Sequence, residues 1–486
     1  HLAQQDRSST ICKKLSFSSA TTPLIFQRAV EGSVEKRQGR TLGPPGGKSM
    51  VVFVDDISMP EYNEWGDQIT LEILRQLVES KGLYNLDKPG EWNAIVDLRF
   101  VGAMLRPGGG KADIPNRAKR HFHVVNVALP SVASMQQIFG SMVEAHFRPE
   151  GAEPLPDAVT AAADKLVALT VNLWDKVKQK MLPTPAKFHY IFNLRDLARV
   201  FQGIFLCPAR EVLGATLGPL VRLWAHECER VFADRLVDDN DKQWFASALV
   251  KSVEGAYGKE GAAALAAGVG SSGSAPPLFV DFMRDGEEDP ETGEELEAPR
   301  VYEPVPSLDD LRSRVEHKMG LFNEAHKLNA AQLVLFDDAL AHFTRVSRIL
   351  RTPRGSALLI GVGGSGKQSL TRLAAYVADC TLFQPAVTKS YNATSLLEDF
   401  KPLYRRAGVQ GRGCALLFTD KEIKEESFLE YVNIFLNTGE LPNLFPRDEY
   451  DAILGDVAAV YQKLGLAEPG REPAAEDLWA FFIDRV

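Results

Sequence analysis

Short apolar, β-branched runs alternate along the chain with longer stretches whose apolar residues recur every three or four positions. Residues 51–55, VVFVD, are apolar up to a closing acid, the pattern of a strand buried on both faces of a parallel sheet. In GDQITLEILRQLVES, Ile69, Ile73, Leu74 and Leu77 fall at helical spacing, which predicts a helix. AIVDLRFVGAM (94–104) and HFHVVNVAL (121–129) read as two more strands. From about 131 to 250 the period is mostly helical, in SMQQIFGSMVEAHF, VTAAADKLVALTVNLWDKV, FNLRDLARVFQGIFL and GPLVRLWAHECERVFADRLV. The pattern then fails. Residues 258–277 are rich in Gly, Ala and Ser, and 285–297 hold eight acids and no base, so little there can be buried and an exposed, flexible connector is expected. Alternation returns with the amphipathic AAQLVLFDDALAHFTRVSRIL, the strand-like ALLIGV (357–362), the helical KQSLTRLAAYVA, the acid-tipped CALLFTD (414–420) and the helical DLWAFFIDRV.

Strands and helices in alternation point to layered α/β domains. The expected division is an α/β unit at 1–130, a helical subdomain at 131–255, a connector at 256–305 and a second α/β unit at 306–486. The 486 residues, 45% hydrophobic and 24% charged, suffice for full cores. A net charge of −9 without a basic stripe argues against nucleic acid as a partner. No apolar run reaches the ~18 residues of a membrane span, so no membrane partner is expected. Cys12, Cys207, Cys228, Cys380 and Cys414 lie far apart and read as reduced thiols. The first residues, HLAQQDRSST, have no initiator Met and no signal-peptide pattern, and read as cut from a longer chain.

GVGGSGKQS (361–369) carries the strongest chemistry. Gly361, Gly363, Gly364 and Gly366 follow a predicted strand and precede a predicted helix. In that setting, backbone N–H groups can turn in around phosphate oxygens and the helix N-terminus adds partial positive charge. Val362 and Ser365 complete the loop, and Lys367 would reach the β- and γ-phosphates of ATP or ADP. Gln368 stands where a hydroxyl normally ligates Mg²⁺. Ser369 lies about 100° further round the helix and is not a simple substitute, though it is kept as a candidate ligand. Binding is therefore better supported than hydrolysis.

Asp55 and Asp56 end the first strand, where one acid could hold Mg²⁺ and the next polarise the attacking water. Asp420 and Glu422 are the corresponding candidates in the second unit, Asp420 also as a Mg²⁺ ligand, with Thr419 at the strand end. Arg117 and Arg120 precede a predicted strand and could reach a neighbouring γ-phosphate, and Arg195 lies on a helix of the following subdomain. His121 and His123 could share a strand face, but no further ligand at metal spacing accompanies them.

Longer strings extend the picture. FSSATTPLIFQRAVEGSVEKRQGRTLGPPGGKSMVVFVDDISMP, EWGDQITLEILRQLVE, LYNLDKPGEW, GGGKADIPNRAKRHF and MLPTPAKFHYIFNLRDLARVFQG resemble the third AAA+ module of axonemal dynein heavy chains. RTPRGSALLIGVGGSGKQSLTRLA and FTDKEIKEESFLEYVNIFLNTGELPNLFPRDE resemble the fourth, and the likeness is strongest to outer-arm chains of the gamma type. The resemblance implies an AAA+ P-loop NTPase fold: a parallel sheet flanked by helices, with an α-helical lid, as two partial modules in tandem. It implies ATP/ADP and Mg²⁺ as cofactors and ATP-driven, minus-end-directed microtubule motility in the axoneme of cilia and flagella. Microtubules, neighbouring AAA+ modules, and intermediate and light chains are the implied partners. Asp55 and Asp56 take the positions of the third module's Walker B acids, Arg195 of its second sensor, and Arg117 or Arg120 of the finger toward the second module's nucleotide. Gly-Lys-Gln-Ser is the fourth module's own pattern, so Gln368 belongs to the type. Leu105 replaces the first-sensor asparagine and Thr419 the Mg²⁺ acid; Leu105, Asp56 and Gln368 together favour a nucleotide-stapled structural role without turnover over active hydrolysis. The expected fragment opens after the third module's phosphate loop and closes before the fourth module's lid, so alone it should hydrolyse ATP negligibly.

Overall fold

The acid-tipped run 51–55 is the middle of a three-stranded parallel sheet in the computed structural model, which describes residues 9–108, 112–149, 151, 153–267, 278–286, 298–327, 333–441, 444–467 and 473–486. The chain forms two units, one of residues 1–127 with 383–486 and one of residues 128–382. In the first, β1 (Thr10–Ser16), β2 (Ser49–Asp55) and β3 (Leu98–Gly102) lie in that order, with Ser16 opposite Asp55 and Val54 opposite Gly102. Met50, Val51, Val52 and Val54 are buried, as a central parallel strand requires. Helix α1 (Ile69–Ser80) buries Thr70, Leu71, Leu74 and Leu77, while Ile69 is exposed and Ile73 half-buried.

The expected strand at 94–104 is divided. Asp97, with φ of 60°, breaks the extended backbone, so Trp92–Ile95 joins a separate four-stranded sheet and only Leu98–Gly102 pairs with β2. The expected strand at 121–129 is not formed. Val124, Val125 and Val127 are 77, 77 and 88% exposed, and among the described residues no strand pairs with this run. Apolar alternation prepares a segment for pairing, but a strand exists only against a neighbour. The later part of this unit packs the helices Ala393–Tyr404, Ser427–Thr438, Arg447–Lys463 and Ala475–Arg485 around Phe400, Tyr404, Phe428, Ile453, Val457 and Phe482.

The second unit opens with α2 (Val132–Phe147), α3 (Asp157–Lys180), α4 (Leu194–Phe205), α5 (Leu217–Val231) and α6 (Asp239–Ala266), which enclose a core that includes Trp174, Phe201, Trp224 and Phe245. Helix α6 continues past a kink at Gly258, φ 67°, so residues 259–266 are helical where composition suggests connector. Residues 268–277 and 287–297 lie outside the described residues. Three helices follow: α7 (Leu308–Ala325), α8 (Asp337–Arg351) and α9 (Lys367–Val377). The run 357–362 before α9 is not a strand here either, and Leu358 and Ile360 are 85 and 87% exposed.

A buried carboxylate ties this unit together. Glu227 on α5 is fully buried; its Oε1 accepts from Tyr302 Oη at 2.6 Å and Arg348 Nε at 3.3 Å, and its Oε2 accepts from Arg348 Nη2. Burial, with the Glu227 carboxylate next to it, pushes the Tyr302 phenol far up, so it stays a donor. Gly203 on α4 completes the fit, because a Cβ there would overlap Glu227 Oε2 and come within 2.6 Å of Arg348 Nη2. One turn on, Asp234 Oδ2 lies 3.1 Å from Arg230 Nε and its Oδ1 3.2 Å from Arg345 Nε, with Glu229 3.6 Å from Arg230 Nη2. Burial pushes the Glu229 carboxyl up to about 7.

Glu227→Gln leaves a guanidinium buried without its counter-charge and should cost about 3–5 kcal/mol in chemical denaturation, with much of that loss recovered in Glu227→Gln/Arg348→Met. Glu229 carries its own pH signature. Its folded value lies above the ordinary 4.5, so the folded chain holds the proton more tightly, and the stability this adds is complete below about pH 4.5 and lost as pH rises through about 7. The loss is on the order of 3 kcal/mol, and a comparison of wild type with Glu229→Gln across that window should isolate it.

Candidate functional site

Glycines with positive φ shape the loop ahead of α9: Gly364 at 79° and Gly366 at 76°, the latter as the left-handed N-cap of the helix. Side chains rarely tolerate that conformation, so glycine is required for the chain to turn and offer its amides at the helix start. No atom outside the immediate backbone comes within 4 Å of a Cβ position at Gly363 or Gly364, whereas Gly366 has Leu333 Cδ2 at 3.6 Å. Gly361, Val362, Gly363, Gly364 and Ser365 are exposed. Lys367 folds back over the loop, its Nζ donating to the carbonyls of Gly361 and Val362 at 2.7 Å each and to Ser365 Oγ at 3.2 Å. The ammonium thus sits where oxygens converge, and a phosphate group would replace some of them. Beyond the first turn, α9 is anchored by buried Leu370, Leu373, Ala374 and Val377. Gln368 is exposed and Ser369 half-buried.

The acids of the first sheet sit at the end of β2. Asp55 lies 3.9 Å from Lys14 Nζ on β1, a contact that follows from the parallel register. Asp56 has φ of 54°, a left-handed conformation that Asp tolerates better than most residues but at a cost of roughly 1 kcal/mol. The turn is held by Met59 N donating to Asp56 O at 2.9 Å and Ile57 N donating to Ala103 O at 3.0 Å. Leu105, after β3, is 52% exposed.

Arg117 and Arg120 do not precede a strand. Arg117 lies in the short helix Asn116–Lys119 and Arg120 caps it; Arg117 pairs with Glu72 at 3.5 Å and Arg120 with Glu79 at 2.8 Å, both acids on α1. His121 lies 3.8 Å from Glu79 rather than on a strand face shared with His123. Arg195 is exposed in the first turn of α4, whose start is fixed by a reciprocal cap between Asn193 and Asp196.

In the second acid group, strand β4 (Cys414–Leu416) is shorter than the predicted 414–420, and its continuation turns back on itself. Glu422 is only 5% exposed; its Oε2 accepts from Thr419 N at 2.7 Å and from Thr419 Oγ1, and its Oε1 accepts from Gln384 Nε2 at 3.0 Å. Burial pushes the Glu422 carboxyl up, but the hydrogen bonds from Thr419 and Gln384 outweigh it and hold it below its ordinary value. Asp420 is exposed. Glu422 is therefore sequestered, while Asp420 is open to solvent. Gln384, 38 residues from Glu422 along the chain, is brought to it only by the fold.

Elsewhere, a cavity of about 100 Å³ in the second unit is lined in part by Phe279, Ser347, Arg300, Arg348 and Arg351. Each arginine is engaged by an acid, Asp379, Glu227 and Asp281 respectively.

Family models match the chain in the same places. Residues 331–486 match "P-loop containing dynein motor region D4", residues 1–130 "P-loop containing dynein motor region", and residues 166–260 "AAA+ lid domain". Over its whole length the chain is 50% identical to dynein axonemal heavy chain 5 of Rattus norvegicus. It is 46% identical to dynein axonemal heavy chain 8 of Homo sapiens over its whole length, and 45% identical over 98% of its length to the dynein gamma chain of the flagellar outer arm of Chlamydomonas reinhardtii. The chain belongs to the axonemal dynein heavy chains. It spans 14, 10 and 11% of the length of these three relatives. Its fold class is that of AAA+ P-loop modules with a lid.

Within a dynein segment the available donors suit Mg²⁺. Hard oxygens are offered separately by each unit, by Asp55, Thr419 and Asp420 in the first and by Ser369 in the second, and among the described residues no group of three or more His, Cys, Asp or Glu forms a dedicated metal cage. Mg²⁺ is commonly held by one or two carboxylates together with phosphate oxygens. The strain at Asp56 is separable from any chemistry of its side chain. Asp56→Gly should raise stability by about 1 kcal/mol in denaturant titrations, whereas Asp56→Val should lower it by a similar amount.

Proposed function

We propose that this chain is a segment of the motor ring of an outer-arm, gamma-type axonemal dynein heavy chain. Its boundaries run 1–130 for the large part of the third module, 131–255 for its lid, 256–305 for a connector and 306–486 for the start of the fourth module. Nucleotide bound by these modules tunes the ATP-driven, minus-end-directed movement along microtubules that bends cilia and flagella. The observation that carries the reading is the loop 361–367, where positive-φ glycines and Lys367 converge ahead of an anchored helix in a chain matched over its length to axonemal dyneins.

Roles follow the motif positions. Amides of Gly361 to Gly366, Lys367 and the first turn holding Gln368 and Ser369 bind the phosphates of ATP or ADP. Ser369 in one unit and Asp420 in the other are each proposed as oxygen ligands for Mg²⁺, which when bound would supply positive charge against the phosphates. Asp55 and Asp56 serve the third module in the same way, with Arg195 as sensor and Arg117 or Arg120 directed toward the neighbouring module. Both arginines keep an exposed pairing with α1 that a phosphate could replace at little cost. Regulatory binding without turnover is favoured at these modules by Gln368, Leu105 and the sequestered Glu422.

Lys367→Ala should weaken binding of a fluorescent ATP analogue about 10- to 100-fold, as expected for loss of a charged hydrogen-bond donor, with an unchanged melting temperature. Unchanged affinity would remove the nucleotide assignment. A single-turnover measurement in a heavy chain whose first module is disabled separates the two functional readings, because phosphate release above background would favour hydrolysis over stapling.

A further inference from the structure

Helix α8 turns one face into the cavity of the second unit: Thr344, Ser347, Arg348 and Arg351 line it and recur every three or four residues. Ser347 differs from its neighbours. It is only 1% exposed, yet its Oγ has no hydrogen-bond partner among the described residues. Helical hydroxyls commonly donate to a carbonyl three or four residues back. Thr344 does so to Ala341 O at 2.9 Å and Thr352 to Arg348 O at 2.9 Å. A buried hydroxyl without a partner is destabilising, and it marks a place where an acceptor is missing.

The charges around that hydroxyl are unevenly matched. Arg348 is committed to the buried Glu227 through Nε and Nη2. Arg351 donates Nε to Asp281 Oδ2 at 2.9 Å, and Asp281 is the one described acid in the lining. Arg300 pairs through Nη2 with Asp379, whose side chain is 71% exposed, so water screens that pair and a ligand could replace it at little cost. A guanidinium carries five N–H donors, and Arg300 and Arg351 each give only one to their acid. Phe279 and Phe282 close part of the wall with apolar surface, which strengthens any charge-assisted bond made inside.

We propose that this cavity binds a small oxyanion of the phosphate class, which accepts hydrogen bonds from Ser347 Oγ and from the remaining N–H groups of Arg300 and Arg351. Guanidinium forks match the spacing of phosphate oxygens. The cavity's volume of about 100 Å³ suits one such group, since an apolar cavity of ~150 Å³ takes up benzene. The site shares no residue with the glycine loop 361–369 and does not depend on its reading.

The test is a calorimetric titration of the 486-residue chain with inorganic phosphate at fixed ionic strength, on a Lys367→Ala background so that the glycine loop adds little of its own. That background should bind phosphate. Ser347→Ala and Arg300→Gln, each placed on it, should weaken the binding about tenfold, the scale of one lost charge-assisted hydrogen bond. Without phosphate, Ser347→Ala should melt no lower than its background, because the hydroxyl it removes has no partner there. Glycerol phosphate is titrated alongside: tighter inorganic phosphate marks the free ion as the ligand, a tighter ester marks a phosphorylated metabolite, and either result supports the site. The inference is overturned if the background takes up neither compound, if either variant keeps the full affinity, or if Ser347→Ala without phosphate melts below its background.

Discussion

A carboxylate removed from water needs its counter-charge, and Glu227 places that demand at the centre of the second unit. Its oxygens are satisfied only when Tyr302 and Arg348 approach from other segments and Gly203 leaves room. Helix α5 of the helical subdomain is thereby fixed against α8, and α8 is the last helix before the phosphate loop. Asp234, more open to solvent, adds ion pairs with Arg230 and Arg345 a turn away. Apolar packing alone would permit helices to slide by a fraction of a turn; paired buried charges do not, because a small displacement leaves an ion unmatched. The lid-like helices and the loop-bearing helix therefore belong to one unit for a specific electrostatic reason.

The loop depends on a different constraint, the backbone conformations that only glycine adopts without strain. Gly364 and Gly366 turn the chain into the start of α9, while Leu370 and Leu373 bury the helix behind it. Rigid support with an exposed mouth suits a ligand that is mostly charge. The two acid groups solve their problem differently. Asp55 and Asp56 reach the end of a fully paired central strand, with strain concentrated at Asp56. Around Thr419 the strand has already ended, and hydrogen bonds to a buried Glu422 replace ladder bonds in fixing the turn.

Much of this organisation was legible in the residues. The central strand 51–55, the helices from 132 onward and the glycine loop with its following helix carry periodicity or φ requirements that are local and strong. What the sequence could not convey was partnership. Runs 121–129 and 357–362 have apolar, β-branched character, yet no described strand lies beside 121–129, and Leu358 and Ile360 remain exposed. Asp97 shows the complementary failure, since one residue at positive φ divides an apolar run that pattern alone would join. Arg117 and Arg120 lie not before a strand but in a short helical turn whose charges are matched on α1. Gln384 and Glu422 could not be linked from spacing, because their contact is a product of the fold.

The distribution of acids bears on what the two dynein modules can do. A group that activates water needs an accessible lone pair of adjustable basicity, and Glu422 has neither, held by Thr419 and Gln384 below its ordinary titration range. Asp420, by contrast, is open to solvent. Leu105 offers no hydrogen bond to orient a water in the other module. Binding asks less: inward amides, one ammonium and hard oxygens suffice for a polyphosphate with its cation. Residues 361–369 combine glycine turns, a lysine held among oxygens and a buried helical anchor, an arrangement that suits the binding of a polyphosphate.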